Sequence, residues 1–289
     1  MLTELIMGCG YLGRKVALAS KQRGVPVTGM VRSQASIEAI ESQGIRAMRV
    51  DLDLPDLPDL PLRDSSIYYF APPPREGELD SRVRNLVRGF QQQDQPRRIV
   101  YLSTTGVYGD CKGAWVDETR TPNPVVARAK RRWDAEQVFH QWRAETGGEL
   151  VILRVAGIYG PGKLPLDRLR KGLPLISEQE APFTNRIHAD DLVQVCLAAM
   201  ERGVDGETYN VSDGHPGTMT DYFNRIADRA GLPLPPQIPM SEGAGKLSAG
   251  MMSYMAESRR LSNRKMLDEL GVELMYPDLD VGLDACFSE

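Results

Sequence analysis

Residues 8–13 read Gly-Cys-Gly-Tyr-Leu-Gly and follow the apolar run Leu2–Met7, which places Gly8, Gly10 and Gly13 at G-x-G-x-x-G spacing. Each glycine has its own task in a pyrophosphate-binding turn. The first makes the tight bend, the second lets phosphates approach the backbone, and the third lets helix and strand pack closely. Tyr11 and Leu12 open the helix that follows, whose first N–H groups and partial positive charge suit a dinucleotide. About twenty residues further on, an NAD site carries an acid for the ribose 2′-hydroxyl. Here the chain reads "GMVRSQ", with Arg32 and Ser33 and no carboxylate. A guanidinium grips a 2′-phosphate bidentately, so the chemistry leans to NADP, with NAD still open. Asp51, after a third strand, either accepts from the adenine amino group or caps a turn. A second cationic feature is "PNPVVARAKRRWDAE" at 122–136, which brings Arg128, Lys130, Arg131 and Arg132 to the start of a helix. They form either a solvated face or, in part, a site. The histidines (140, 188, 215) and cysteines (9, 111, 196, 286) are scattered without metal-ligand spacing, so no metal is expected.

These groups need a scaffold to bring them together. At 289 residues with 42% hydrophobic content, the chain can bury a large α/β core. A net charge of −4 with no basic half argues against nucleic acid. No stretch reads as a secretory signal or membrane span, and the cysteines read as reduced. The expected protein is cytoplasmic, a monomer or homodimer, with a small-molecule partner. Apolar strands are expected at Leu2–Met7, Val25–Val31, the stretch ending at Asp51, Ser66–Ala71, Arg97–Ser103 and Leu150–Val155. They alternate with helices at Tyr11–Arg23, Ile37–Gln43, Leu79–Gln93 and Val125–Thr146. That alternation predicts a doubly wound, Rossmann-type parallel sheet with helices on both faces. A proline-rich loop with a Leu-Pro-Asp theme precedes the fourth strand. Beyond Gly160 the texture becomes rich in Pro and Gly, with helices at Thr220–Ala230 and Ser262–Leu270, the latter capped by Ser262. The organisation expected is a cofactor-binding core at 1–160, completed by about 186–212, and a small C-terminal α/β substrate lobe from 161–185 and 213–289.

Five further segments occur in order: "VYLSTTGVYGD", "PNPVVARAK", "ILRVAGIYGPG", "NRIHADDL" and "GETYNVSDGHPGTMTDYF". Together with the glycine loop they resemble the extended short-chain dehydrogenase/reductases, the NAD-dependent epimerase/dehydratase family, over almost the whole chain. The resemblance implies that Thr104, three residues before Val107, hydrogen-bonds a substrate oxygen. It also implies a Tyr-x-x-x-Lys pair in which Tyr is the acid/base and Lys holds the nicotinamide ribose. Aligned on Lys130, the tyrosine position is Val126, which has no titratable proton, and Lys130 is then the functional cation of the basic run with Arg128, Arg131 and Arg132 on its solvated face. A second departure is Leu86, three residues before Gly89, where the family often has an asparagine; Asn85 lies one place off. The chain therefore resembles an atypical branch that keeps the cofactor site and lacks the standard acid. Tyr159 and Tyr108 are candidate replacement donors, Tyr108 on the substrate side. Arg186 faces either a substrate diphosphate or a structural ion pair, and Arg259, Arg260 and Arg264 either reach an anion or form a solvated face. Asp190 and Asp191 are expected to cap a helix, and His188 to sit in the core. The implied activity is an NADP-dependent oxidoreductase or epimerase acting on a polar, nucleotide-sugar-like substrate. The rival is a cofactor-binding sensor without turnover. A tyrosine hydroxyl within reach of Thr104 would separate them.

Overall fold

Leu5, Ile67, Ile99 and Leu150 occupy equivalent places on four strands of one parallel sheet in the computed structural model, which describes residues 2–91 and 93–288. Its strands are β1 (Thr3–Met7), β2 (Val27–Val31), β3 (Arg46–Arg49), β4 (Ser65–Tyr69), β5 (Arg98–Thr104), β6 (Glu149–Val155) and β7 (Thr208–Val211). The order across the sheet is β7-β6-β5-β4-β1-β2-β3, with every neighbouring pair parallel. The chain reverses its winding direction between β1 and β4. Their carboxyl ends therefore border the crevice in which open α/β sheets bind ligands.

Side chains alternate across the sheet because successive residues of a strand point to opposite faces. Leu5, Met7, Ile67, Tyr69, Ile99 and Tyr101 pack on one face against α3 (Ser81–Gln91) and α4 (Ala127–Thr146). Ile6, Tyr68, Val100 and Val151 pack on the other against α1 (Tyr11–Gln22) and α5 (Ala189–Arg202). Helix α2 (Gln34–Glu41) covers the β3 edge through Ile40. Burial on both faces explains why these strands read as continuous apolar runs.

A smaller body follows. It contains α6 (Met219–Arg229), α7 (Ala249–Met255), α8 (Arg264–Leu270), α9 (Leu279–Phe287) and several two- or three-residue strand pairs. Tyr159, Leu169, Phe223, Ile226 and Leu283 form its centre. Salt bridges from Arg225 and Arg229 to Asp280 tie α6 to α9.

Several boundaries differ from expectation. Helix α4 begins at Ala127, and Val126 precedes it as an extended N-cap with ψ 144°. The first capping position of α8 is Asn263, not Ser262, and no side chain caps that helix. The expected helix 79–93 is observed as Ser81–Gln91, and its Gln92 lies outside the described residues, as do Met1 and Glu289. Strand β7 and helix α9 are additional to the expected elements. The proline-rich loop has no regular structure, yet Leu60 and Leu62 are buried in the core.

One buried network fixes α4 against the sheet. Glu136 on α4 is 0% exposed at its side chain and Arg154 on β6 is 5% exposed; they pair at 2.7 Å. Ser103 Oγ at the end of β5 donates to the same carboxylate. The Arg154 guanidinium also lies 4.8 Å from the Tyr108 ring centre. The N-terminal turns of α4 are thereby set beside the carboxyl ends of β5 and β6.

Candidate functional site

The glycine turn has the space that a dinucleotide phosphate needs, in one direction only. Gly8 has φ +84°, and a Cβ there would lie 2.5 Å from Ala71 N and 2.6 Å from Ala71 Cα. A Cβ on Gly13 would meet Gly8 O at 2.9 Å and Ile6 Cγ2 at 3.1 Å. Gly10 is different, because the nearest atom to an added Cβ is Gly8 O at 4.0 Å. Two glycines thus permit close backbone packing, and the third faces open space at the start of α1. No side chain caps that helix. Its first N–H groups and positive dipole end are left for an anion. Leu12 is buried in the core, so only its backbone can serve a ligand. The Tyr11 hydroxyl donates to Pro161 O at 3.1 Å, which links the glycine turn to the loop after β6.

A crevice of about 180 Å³ extends the turn towards β2 and the loop after β3, lined by Gly8, Arg32, Asp51, Asp53 and Arg82 among others. Arg82 donates to both Asp53 carboxylate oxygens, at 2.6 and 2.8 Å, and Arg32 reaches the same carboxylate at 3.1 Å. The Arg82 hydrogen bonds hold Asp53 below the usual carboxylate range. Asp53 is a further residue of this crevice that the sequence pattern does not single out. Its only signal was a second acid two residues after Asp51. Asp51 accepts from Asp53 N at 3.1 Å and so closes a turn while also lining the crevice. Ser33 caps α2, its Oγ accepting from Ser36 N at 3.3 Å.

A second cleft, of about 610 Å³, opens at the ends of β5 and β6 and is lined by Thr104, Gly106, Arg128, Arg132, Arg186 and Tyr222 among others. Thr104 Oγ1 accepts from Gly106 N at 3.2 Å, which leaves the hydroxyl proton to be donated. Helical spacing brings Arg128 and Arg132 to one face of α4, towards the cleft. Lys130 points elsewhere: its Nζ donates to Glu78 Oε1 at 2.6 Å, outside the residues that line the cleft. Arg131 is buried and donates to Gly77 O at 2.5 Å. Val126 precedes the helix and lines no part of the cleft. The cations that the basic run contributes here are therefore Arg128 and Arg132, two residues either side of the expected Lys130.

The replacement donors expected from sequence are enclosed. Tyr108 is 1% exposed and donates to Asn210 Oδ1 at 2.8 Å. Tyr159 is 0% exposed, with its hydroxyl directed at Asp278 O at 3.4 Å. Burial raises both phenols above their ordinary value, and neither lines the cleft. The tyrosines that do line it are Tyr222 and Tyr254. Their rings lie under Arg186 at 4.2 Å and Arg128 at 4.1 Å, and burial pushes Tyr222 up to about 12. Among the described residues, Thr104 receives no hydrogen bond from a tyrosine hydroxyl.

Arg186 sits at the end of a short strand paired with Gly157–Tyr159. Its Nη1 donates to Asn185 O at 2.9 Å, and it makes no ion pair among the described residues. Arg259 also lines the cleft and pairs with Glu257 at 2.9 Å, whereas Arg260 donates to Gly113 O and Arg264 is exposed. His188, rather than the two acids, caps α5: its Nδ1 accepts from Asp190 N at 3.3 Å. Asp191 instead accepts from the backbone of Met275 and Tyr276. Asn85 donates to Leu52 O and holds the loop after β3.

Asp213, the second residue after β7, is a buried acid. Burial raises it from 3.8 to about 6. Its folded form keeps a proton that the unfolded chain has already released, so this group lowers stability as pH rises between those two values. Asp213→Asn preserves the acceptor for His215 N. The variant should melt higher than wild type at about pH 8, with the difference gone at about pH 3, below the unfolded value. An equal difference at both would remove this assignment.

The NAD-dependent epimerase/dehydratase family model matches residues 82–212. Protein YeeZ of Escherichia coli K12 is 30% identical over 283 residues, covering 94% of this chain and 96% of YeeZ. The chain belongs to the NAD-dependent epimerase/dehydratase family. A conserved protein of unknown function from Silicibacter pomeroyi DSS has a solved structure that is 34% identical. It covers 99% of this chain and 98% of its own, with a TM-score of 0.86. The UDP-glucuronic acid 4-epimerase of Bacillus cereus, solved with NAD, shares the fold at 18% identity. It covers 100% of this chain and 98% of its own, with a TM-score of 0.78. Family membership and the glycine turn make this an NAD(P)-binding, epimerase-like protein.

Proposed function

We propose that the protein is an NADP(H)-dependent oxidoreductase or epimerase whose polar small-molecule substrate lies against Thr104. The observation that carries this reading is the continuity of two spaces. Pro72 borders the crevice at Arg32, and the adjacent Pro73 borders the cleft at Thr104. A dinucleotide lying from Arg32 past Gly10 would place its nicotinamide end beside Thr104. When bound, that ring supplies or accepts a hydride.

The chain's own residues divide the remaining work. Backbone N–H groups at Tyr11 and Leu12 would hold the pyrophosphate. Arg82 neutralises Asp53 with two bonds, so Arg32, 64% exposed at its side chain, keeps donors for a 2′-phosphate. Thr104 Oγ1 would donate to the reacting substrate oxygen. Arg132, rather than Lys130, supplies the α4 charge on the cofactor side of the cleft. An arginine does not release its proton near neutrality, so it polarises a carbonyl without acting as its acid.

Direct comparison of NADPH and NADH titrations tests the cofactor assignment. Wild type should prefer NADPH, and Arg32→Glu should cut that preference roughly 10-fold or more, since charge-assisted hydrogen bonds contribute on that scale. Equal affinity in wild type for both nucleotides would sink the role of Arg32. Lys130→Ala should leave NADPH affinity within about twofold, as expected for a solvent-exposed ion pair. A large loss would return Lys130 to the site.

The sensor reading is favoured by one observation, the lack of a tyrosine hydroxyl on Thr104 among the described residues. General acid–base catalysis contributes roughly 10²–10⁴-fold in rate. Hydride transfer under single-turnover conditions with candidate carbonyl substrates decides between the two readings.

A further inference from the structure

We infer that Lys163, on the loop that leads into the smaller body, is a cofactor ligand whose ammonium group takes the nicotinamide-side phosphate of the dinucleotide. This rests on the dinucleotide reading of the glycine turn. No side chain caps α1, so the turn itself offers two phosphate charges only backbone N–H groups and a helix dipole. Three lysines and arginines stand close in sequence or space to that helix start. Arg14 and Lys15 lie on the first turns of α1, and Lys163 arrives from the loop after Tyr159. Lys15 Nζ is held by Asp190 at 2.8 Å. Neither Arg14 nor Lys15 lines the crevice or the cleft, whereas Lys163 lines the cleft together with Thr104.

The loop that carries Lys163 is built against the glycine turn. Lys163 N donates to Gly160 O at 3.0 Å and closes a tight turn over residues 160–163. Tyr11 Oη donates to Pro161 O at 3.1 Å within that turn. A Cβ on Gly160 would stand 3.0 Å from Tyr11 Oη and 3.1 Å from Ala189 Cβ, so a glycine lets the loop backbone pass close to α1 and α5. Leu164, the next residue, packs against the centre of the smaller body. Lys163 is thus anchored in one body and reaches the other.

Its Nζ lies 4.6 Å from the ring centre of Tyr11, the first residue of α1, and it makes no ion pair among the described residues. An exposed lysine ordinarily extends into water; this one is turned onto the ring that opens the phosphate-binding helix. A cation–π contact at an exposed site is weaker than a charge-assisted hydrogen bond to phosphate. A pyrophosphate would therefore draw the ammonium from the ring, with no carboxylate partner to give up. Lys163 lines the cleft and not the crevice at Arg32, so the phosphate within its reach is the one nearer the nicotinamide. The contact would tie the smaller body to the core whenever the dinucleotide is present.

Calorimetric titration of the full-length protein with NADPH, NADH and 2′,5′-ADP tests the inference. The last of these carries the 2′-phosphate and the adenosine-side phosphate but lacks the nicotinamide-side one. Lys163→Met should weaken NADPH about 10-fold, and NADH by the same factor, because the pyrophosphate is common to both. Its effect on 2′,5′-ADP should stay within about twofold, as should that of Lys15→Met on NADPH, since Lys15 is already paired. Lys163→Arg, which keeps the charge, should retain most of the affinity. Added salt should narrow the gap between wild type and Lys163→Met. If Lys163→Met fails to fold by circular dichroism, Lys163→Gln carries the same comparison. Unchanged NADPH affinity in Lys163→Met would overturn the inference. So would an equal loss in Lys163→Arg, in Lys15→Met or for 2′,5′-ADP. A wild type that binds NADH as tightly as NADPH would fail the Arg32 assignment alone, and the Lys163 comparison then runs on either nucleotide. A wild type that binds neither would fail the dinucleotide reading, and this inference with it.

Discussion

Gly10→Val should give a folded protein that no longer binds NADP(H), with affinity reduced more than about 100-fold. Three glycines only a few residues apart differ in what an added Cβ would meet. At Gly8 a Cβ would overlap the Ala71 backbone, and at Gly13 it would press on Gly8 O and Ile6. Substitution at either should damage the fold itself. At Gly10 the nearest protein atom is 4.0 Å from an added Cβ, so valine meets only the space in which the pyrophosphate would lie. Near-wild-type thermal unfolding combined with lost nucleotide fluorescence enhancement is the expected pair of results. A folded variant that still binds NADPH with wild-type affinity would remove the dinucleotide reading altogether.

The second large effect concerns stability. Glu136→Gln keeps the shape of the side chain but leaves the Arg154 guanidinium buried without its counter-charge. Removing one partner of a buried pair typically costs about 3–5 kcal/mol, because the remaining charge is uncompensated. That is a sizeable share of a typical folding free energy of roughly 5–15 kcal/mol. Urea unfolding should show a lower midpoint at unchanged slope. Exchanging both residues for apolar ones of similar volume should recover much of the loss. A cost below about 1 kcal/mol for Glu136→Gln would mean that water screens the pair. The network also spans Ser103 and the Tyr108 ring, so the variant should loosen the α4 face that carries Arg128 and Arg132.

The sequence by itself determined the class of the fold and the cofactor turn. Apolar runs alternating with helical periodicity can satisfy their hydrogen bonds and burial as a parallel sheet covered on both faces, and the family motifs follow in order along it. Gly8, Gly10 and Gly13 were legible because their roles are local: a positive φ, a close approach and an open side within six residues. The basic run was legible as chemistry but not as geometry. Each helical residue turns the side chain by about 100°, so an error of two residues swings a side chain to nearly the opposite side. Only the packed structure shows that α4 starts at Ala127 and turns Arg128 and Arg132, not Lys130, to the cleft.

The fates of Tyr108 and Tyr159 were decided by still more distant segments. Asn210 on β7 takes the first hydroxyl, and Gly282 on α9, lacking a Cβ, lets the second ring lie against that helix. Asp53 likewise acquires its role from Arg82, 29 residues away. Spacing along the chain reports what neighbours in sequence can do together. Which hydroxyls are enclosed, and which guanidiniums are left without a carboxylate, depends on elements that meet only when the sheet, its helices and the smaller body pack, and so was fixed by the tertiary structure alone.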